Sequence, residues 1–243
     1  MNLLLVEPGE VGTDGTILLG DRRADHLRKF LGVSVGSTVK TGIIAGRTGS
    51  AEVVSDDGAT LTLRLTLTGP VSIPMPVSLV LAVPRPKVLT RVIETAAAFG
   101  VTRIDLTNSW RVEKAYLSSP RLSAEALSYA VRFGAEQGAT THLPKVELHE
   151  RLMGLLDARW AVPTAAPATK LIAHPDAPPI EAAQLSWPLV LALGPEGGWI
   201  QRELDTFVER GFTQVSIGAP ILRVEAALAA VLGQLVLLQR IRG

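Results

Sequence analysis

The chain has 243 residues, 47% hydrophobic and 19% charged, with 24 Lys and Arg against 23 Asp and Glu for a formal net charge of +1. This length and apolar content support one large or two small domains and exclude general disorder. Cysteine is absent, which excludes disulfides, thiolate metal sites and cysteine nucleophiles and fits a reducing cytoplasm, while the near-zero charge means that a nucleic-acid partner must be met by a local patch.

The N-terminal run from Met1 to Pro8 has no basic segment and its short apolar stretch ends in Glu7, so it does not read as a signal peptide. Residues 1–70 read as short strands separated by turns. Strands are expected at 16–19, 37–44, 50–55 and 60–67, and the last alternates apolar and polar residues strictly. A short helix is expected at 24–31, with Leu27, Phe30 and Leu31 on one face. About five short strands suggest a small barrel. Between residues 21 and 50 stand six basic residues (Arg22, Arg23, Arg28, Lys29, Lys40 and Arg47) against the two acids Asp21 and Asp25. Phosphate binding by this cluster and an ordinary solvated helix face are both open readings.

Residues 69–76 hold three prolines, Pro70, Pro74 and Pro76, and read as a linker, placing a domain boundary at 70/71. Beyond it the pattern changes. A buried strand at 77–83, a helix at 89–99 stopped by Gly100, and a strand at 101–107 form a crossover unit. A helix at 122–137, one at 149–158, a loop at 161–169 and a strand at 170–175 follow. Then come a strand at 189–193, a helix at 201–210, a strand at 214–217 and a last helix at 225–240. The apolar run 226–238 is shorter than the roughly 20 residues that span a bilayer, so it reads as a buried helix.

Two stretches carry the candidate site. Leu193-Gly194-Pro195-Glu196-Gly197-Gly198 ends one apolar strand, and Ile217-Gly218-Ala219-Pro220-Ile221-Leu222-Arg223-Val224-Glu225 ends another. Strand, tight loop and helix occur twice, the pattern of a parallel α/β sheet whose ligands sit beyond the carboxyl ends of its strands. Glycine lets a flat ligand approach the backbone. Neither a Walker loop nor a G-x-G-x-x-G fingerprint is present, and no metal site is read.

The paired motifs resemble those of the ribosomal RNA small-subunit methyltransferase E family, enzymes of the SPOUT class that methylate a uridine at N3. The resemblance implies a PUA-like β-barrel over 1–70 and, over 71–243, an α/β domain with a C-terminal trefoil knot that holds S-adenosylmethionine. It implies a cytoplasmic homodimer acting on 16S RNA or the small ribosomal subunit, with no membrane. Carried over residue by residue, cofactor binding falls on Ala173, His174, Leu193, Gly194, Glu196, Gly197, Gly198, Ile217, Gly218, Ile221, Leu222 and Arg223. Arg223 and Glu196 are the catalytic candidates. Arg22, Arg23, Arg28, Lys29, Arg47 and Arg111 are the RNA candidates.

Arginine has donors only and a fixed charge, so Arg223 is suited to a methionine carboxylate, an RNA phosphate or a uracil oxyanion, or to a salt bridge with Glu196 or Glu225. Glu196 is suited to ribose hydroxyls or an amine. Glu136 or a water is the candidate general base. The chain departs from the family at Gly32 and Thr140, where arginines are usual, at Ala226, where threonine is usual, and at Ile200, where serine is usual. Ala98-Phe99 also lacks the usual acid. These departures leave open a different target base, or an inactive ribosome-associated RNA-binding protein.

Overall fold

The computed structural model describes residues 2–160 and 169–242. The loop expected at 161–169 therefore lies almost wholly outside the described residues, and Thr169 already belongs to a strand.

Five strands build the first sheet: β1 (Leu4–Val6), β2 (Thr16–Leu19), β3 (Thr38–Ile43), β4 (Thr48–Asp56) and β5 (Leu61–Thr66). They pair in the order β1-β3-β4-β5-β2, with β1–β3 parallel and the other pairs antiparallel. The sheet curls around a core of Leu4, Val6, Ile17, Leu19, Val53, Leu61 and Leu63, and helix α1 (Arg22–Leu31) buries Ala24 and Leu27 in it. Asp21 starts α1 by accepting the Arg23 N–H at 2.8 Å, and Gly32 ends it at φ +60, a conformation only glycine adopts cheaply.

The second sheet has six parallel strands, β6 (Met75–Ala82), β7 (Val101–Thr107), β8 (Lys145–His149), β9 (Thr169–Ala173), β10 (Leu189–Leu193) and β11 (Thr213–Val215). Their order is β11-β9-β10-β6-β7-β8. Helix α2 (Pro86–Ala98) joins β6 to β7. Helices α3 (Lys114–Leu117) and α4 (Ala124–Gly138) precede β8, and α5 (Leu152–Trp160) follows it. Helix α6 (Gln201–Glu209) joins β10 to β11, and α7 (Val224–Arg242) closes the chain. The mixed α/β class and the parallel sheet are those expected.

Several boundaries shift from the sequence expectation, and two of the shifts have a clear physical reason. Strand β6 starts inside the proline-rich stretch and includes Pro76. Its ladder to β7 bulges between Met75 and Ser78, and its ladder to β10 starts at Val77, so the missing N–H of Pro76 breaks no regular pairing. His149, expected in a helix, ends β8 opposite Thr107 and meets the buried Asp105 carboxylate at 2.7 Å.

Helices α2 and α4 pack backbone to backbone. A Cβ on Gly134 would stand 2.7 Å from the Glu94 Cα, and one on Gly138 would stand 2.6 Å from the Ala98 Cα. Two glycines one turn apart on α4 thus set the helix separation. Helix α7 buries Val224, Leu228, Val231, Leu232, Leu235 and Leu238, but Ala226, Ala229, Gly233 and Leu237 face outward. Within the chain, cover extends to the inner face of α7.

The chain runs outward from β6 to β7 and β8, then returns on the other side of β6 with β9, β10 and β11. The direction reverses between β6 and β10, whose ends lie together with Leu193 opposite Leu81. At such a reversal the loops beyond the carboxyl ends diverge and leave a crevice.

Candidate active site

A cavity of about 790 Å³ occupies that crevice, well within the size that holds a small organic ligand. Four segments line it: Arg85 and Val88 after β6, His174 to Asp176 after β9, Leu193 to Trp199 after β10, and Ser216 to Gly218 with Pro220 to Glu225 after β11. Arg111, from the loop after β7, completes the rim. The structure therefore gathers every cofactor-binding candidate, Ala173, His174, Leu193, Gly194, Glu196, Gly197, Gly198, Ile217, Gly218, Ile221, Leu222 and Arg223, around one space.

The walls are apolar and the floor is backbone. Gly198 has φ +71 and Gly218 has φ +141, and no side chain beyond glycine takes the second without strain. The Gly218 loop is anchored from below, where the Gln234 amide of α7 donates to the Ile217 carbonyl at 2.7 Å. The Trp199 indole packs under Gly194, so that a Cβ there would come 3.1 Å from Nε1. Trp199 is 4% exposed and its Nε1 has no hydrogen-bond partner, an orphaned buried donor on the cavity wall. Ile221 is 86% exposed and Leu222 is also exposed. Two large apolar side chains held open over a cavity are surface that a ligand would cover.

Charge is arranged asymmetrically. One oxygen of Glu196 accepts the Arg85 N–H at 2.9 Å. Glu196 thus latches the β10 loop to the start of α2, and its second oxygen is left for a ligand. Arg111 donates to the Gly197 carbonyl at 2.5 Å. Arg223 makes no hydrogen bond or ion pair to the described residues, so the expected alternatives of a salt bridge to Glu196 or Glu225 are not formed. A free guanidinium on a cavity rim is a ready partner for a carboxylate or a developing oxyanion. His174 is fixed by its N–H on the Val215 carbonyl at 2.9 Å, and its Nδ1 accepts the Asp176 N–H at 3.3 Å.

These features fit an adenosine-type sulfonium cofactor. Glycines admit a flat ring to the backbone, Leu193, Ile217, Ile221 and Leu222 supply apolar faces, and Arg223 offers a carboxylate partner. The lost serine at Ile200 is partly made good, since Glu203 accepts the Ile200 N–H at 3.0 Å and so satisfies a free donor at the start of α6.

Glu136, the candidate general base, stands apart from the cavity. It is 1% exposed, does not line the cavity, and is held by Arg22 at 3.3 Å and Arg132 at 3.7 Å where α4 meets the first sheet. Its backbone carbonyl also takes the Asn2 and Leu3 N–H groups.

The basic cluster divides. Arg23 is 6% exposed, and its guanidinium is shared among Glu10, Asp21 and the Leu5 carbonyl. Burial disfavours its charge, but the two carboxylates more than offset this and raise its pKa. Arg23 is thus part of the core of the first sheet and not a phosphate ligand. Arg28 forms a two-pronged pair with Asp56. Arg22 pairs with Glu136 and lies 5.0 Å from the centre of the Tyr129 ring. Lys29 meets Asp25 at 3.5 Å and is mostly exposed, and Arg47 is held at 3.4 Å by the Gly69 carbonyl.

Sequence reasoning missed Arg85, Trp199 and Ser216 as cavity residues. Arg85 carried a signal, since Pro84-Arg85-Pro86 ends a buried strand at the carboxyl side where ligands gather. It also missed the Asp105, Glu147 and His149 group, whose ligand atoms lie within 4.8 Å of one another. Arg103, Lys145 and Arg159 already neutralise those carboxylates, so the group is an ion-pair network tying β7, β8 and α5 together.

Residues 71–236 match the model of a family described as RNA methyltransferase domain. A ribosomal RNA small subunit methyltransferase E from Treponema pallidum is 29% identical over 236 residues, covering 95% of this chain and 88% of its own. A ribosomal RNA small subunit methyltransferase E 1 from Borreliella burgdorferi is 26% identical, covering 95% of each. The crystal structure of a ribosomal RNA small subunit methyltransferase E from Neisseria gonorrhoeae bound to S-adenosyl methionine superposes with a TM-score of 0.79 at 23% identity. That match covers 99% of this chain and 98% of the other.

Proposed function

The chain belongs to the RNA methyltransferase domain family, and from that premise we propose that it is an S-adenosylmethionine-dependent ribosomal RNA methyltransferase, acting on N3 of a uridine in small-subunit RNA. The observation that carries the reading is the glycine-floored cavity at the β6–β10 reversal, rimmed by a guanidinium with no partner among the described residues. The full-length likeness to the Treponema pallidum and Borreliella burgdorferi enzymes supports the ribosomal target.

When bound, the cofactor supplies an activated methyl group on a sulfonium. The chain's own part is binding, orientation and charge. Backbone groups of Leu193, Gly194, Ile217 and Leu222 hold the adenosine, and Ile217, Ile221 and Leu222 cover its faces. The second oxygen of Glu196 accepts from a hydroxyl or the amine. Uridine N3 carries a proton and is a weak nucleophile until that proton passes to a water, when negative charge spreads onto O2 and O4. Arg223 stabilises this charge, and within a partly desolvated cavity such a contact is worth far more than in water. Fixed geometry supplies the remainder by holding acceptor and donor in line.

The same reading takes residues 1–70 as a PUA-like RNA-binding unit and 71–243 as the methyltransferase unit with its C-terminal knot. Arg22, Arg28, Lys29, Arg47 and Arg111 contact RNA phosphates. The outward strip of α7 meets a second copy to form a homodimer. The enzyme works in the cytoplasm on the small ribosomal subunit.

The test is calorimetric titration of the protein with S-adenosylmethionine. Saturable binding at one site per chain is expected, and Gly194→Val, which thrusts a branched side chain at Trp199, should abolish it without unfolding the protein. An absence of binding by the wild-type chain would remove the reading.

A further inference from the structure

Trp110 has no place in the site described so far. It stands on the loop after β7, directly before the cavity residue Arg111, and is 79% exposed. Its backbone is nonetheless fixed. The Trp110 N–H donates to Glu203 Oε1 at 2.8 Å, and Glu203 is itself buried in the first turn of α6. Arg111 is tied to the Gly197 carbonyl, and the Val112 N–H donates to the Ser109 carbonyl at 3.1 Å. The loop is therefore clamped to the same elements that form the glycine floor. The indole itself has no hydrogen-bond, ring or ion-pair partner among the described residues.

Guanidinium groups stand near it. Arg85, Arg111 and Arg223 line the cavity, as do the acids Asp176, Glu196 and Glu225. Among nearby acids, both oxygens of Glu203 are taken by backbone N–H groups and one of Glu196 by another. An exposed flat ring on a fixed backbone, beside guanidinium groups, is the chemistry that binds single-stranded nucleic acid, because every base has a face to stack.

We infer that Trp110 stacks on an RNA base next to the nucleotide that enters the cavity, as a positioning residue for the substrate. An enzyme acting on a base edge must take that base out of its stack, which costs stacking free energy. An exposed indole next in the chain to the cavity residue Arg111 returns part of it. The inference rests on the reading of the chain as an RNA methyltransferase.

The test compares wild type, Trp110→Ala and Trp110→Phe in methyl transfer to small ribosomal subunits that lack the modification, and in binding to a short fluorescein-labelled single-stranded RNA. Trp110→Ala should raise the KM for the subunit by about 5- to 150-fold, the range for loss of one base–aromatic stack. Its affinity for S-adenosylmethionine should stay at the wild-type value. Trp110→Phe should recover most of the loss, and the salt dependence of RNA binding should be the same in all three, because no phosphate contact has been removed. A Trp110→Ala enzyme with wild-type KM and RNA affinity would overturn the inference. So would a change in its mass in solution, which would assign Trp110 to a protein interface. A wild-type protein that neither methylates nor binds RNA would instead overturn the reading on which the inference rests.

Discussion

Gly218→Ala isolates the backbone geometry of the candidate cofactor site from its side chains. Gly218 holds φ +141, and a Cβ built there meets nothing closer than the Pro220 Cδ at 3.7 Å. There is room for a methyl group, so the whole penalty is conformational. Holding an L-residue in so sparsely populated a region costs of order 1–3 kcal/mol. The loop can avoid that cost by moving, but Ile217 and Ile221 flank it and form the proposed cofactor walls. If the loop moves, the penalty falls on binding, about 5- to 150-fold in Kd at 1.4 kcal/mol per tenfold. If the loop instead stays put, the strain appears as lost stability, about 2–4 °C in Tm for each kcal/mol in a chain of this size. The assay is calorimetric titration with S-adenosylmethionine beside a thermal melt. Gly154→Ala is the control, since Gly154 lies in α5 away from the cavity, is not at positive φ, and its Cβ would meet nothing within 4 Å. A Gly218→Ala protein with wild-type Kd and Tm would show that the positive φ plays no part in the site.

Gly134→Ala should lower Tm by about 2–12 °C, because overpacking of about 1–3 kcal/mol is forced where α4 lies on the Glu94 backbone; an unchanged melt would refute the close packing. The Arg23 hydrogen bonds hold the Glu10 carboxyl below its ordinary value of 4.5. A lowered folded-state pKa gives stability that is present above the unfolded value and lost as pH falls through the folded one. Acid titration below pH 4.5 should therefore destabilise the wild type, and Arg23→Met should flatten that limb of the profile; parallel acid limbs would contradict the assignment. Arg111→Gln should weaken RNA binding and reduce its salt dependence by about one counterion, measured as the slope of log Kd against log salt. An unchanged slope would remove Arg111 from the RNA face.

The site was legible because its parts are local in sequence. A strand that breaks into Gly194-Pro195-Glu196-Gly197-Gly198 fixes a loop at a strand end, and Gly218-Ala219-Pro220 does the same. Parallel pairing then brings both ends to one edge of the sheet. What sequence left open depended on partners distant along the chain. Glu136 looked like a candidate base, but Arg22 lies 114 residues away in sequence and seals it at the seam. Arg23 looked like its basic neighbours, and burial against Glu10 alone separates it from them. Pro76 read as linker because a proline forbids regular pairing, whereas a bulge opposite Val101 accommodates it. Trp199 gave no signal, since an aromatic after two glycines says nothing of the wall on which it ends.

The central claim is methyl transfer to a uridine of small-subunit ribosomal RNA, and it is met most directly by one measurement. Small ribosomal subunits from cells lacking this gene are incubated with the protein and S-adenosylmethionine carrying a labelled methyl group, and the RNA is digested to nucleosides and identified by mass. The account predicts label in 3-methyluridine, and its loss with Arg223→Ala in a protein that melts like the wild type. Label in another nucleoside would contradict the assignment to N3 of uridine. No label, with the protein folded and the subunits shown to be unmodified, would contradict the enzyme itself.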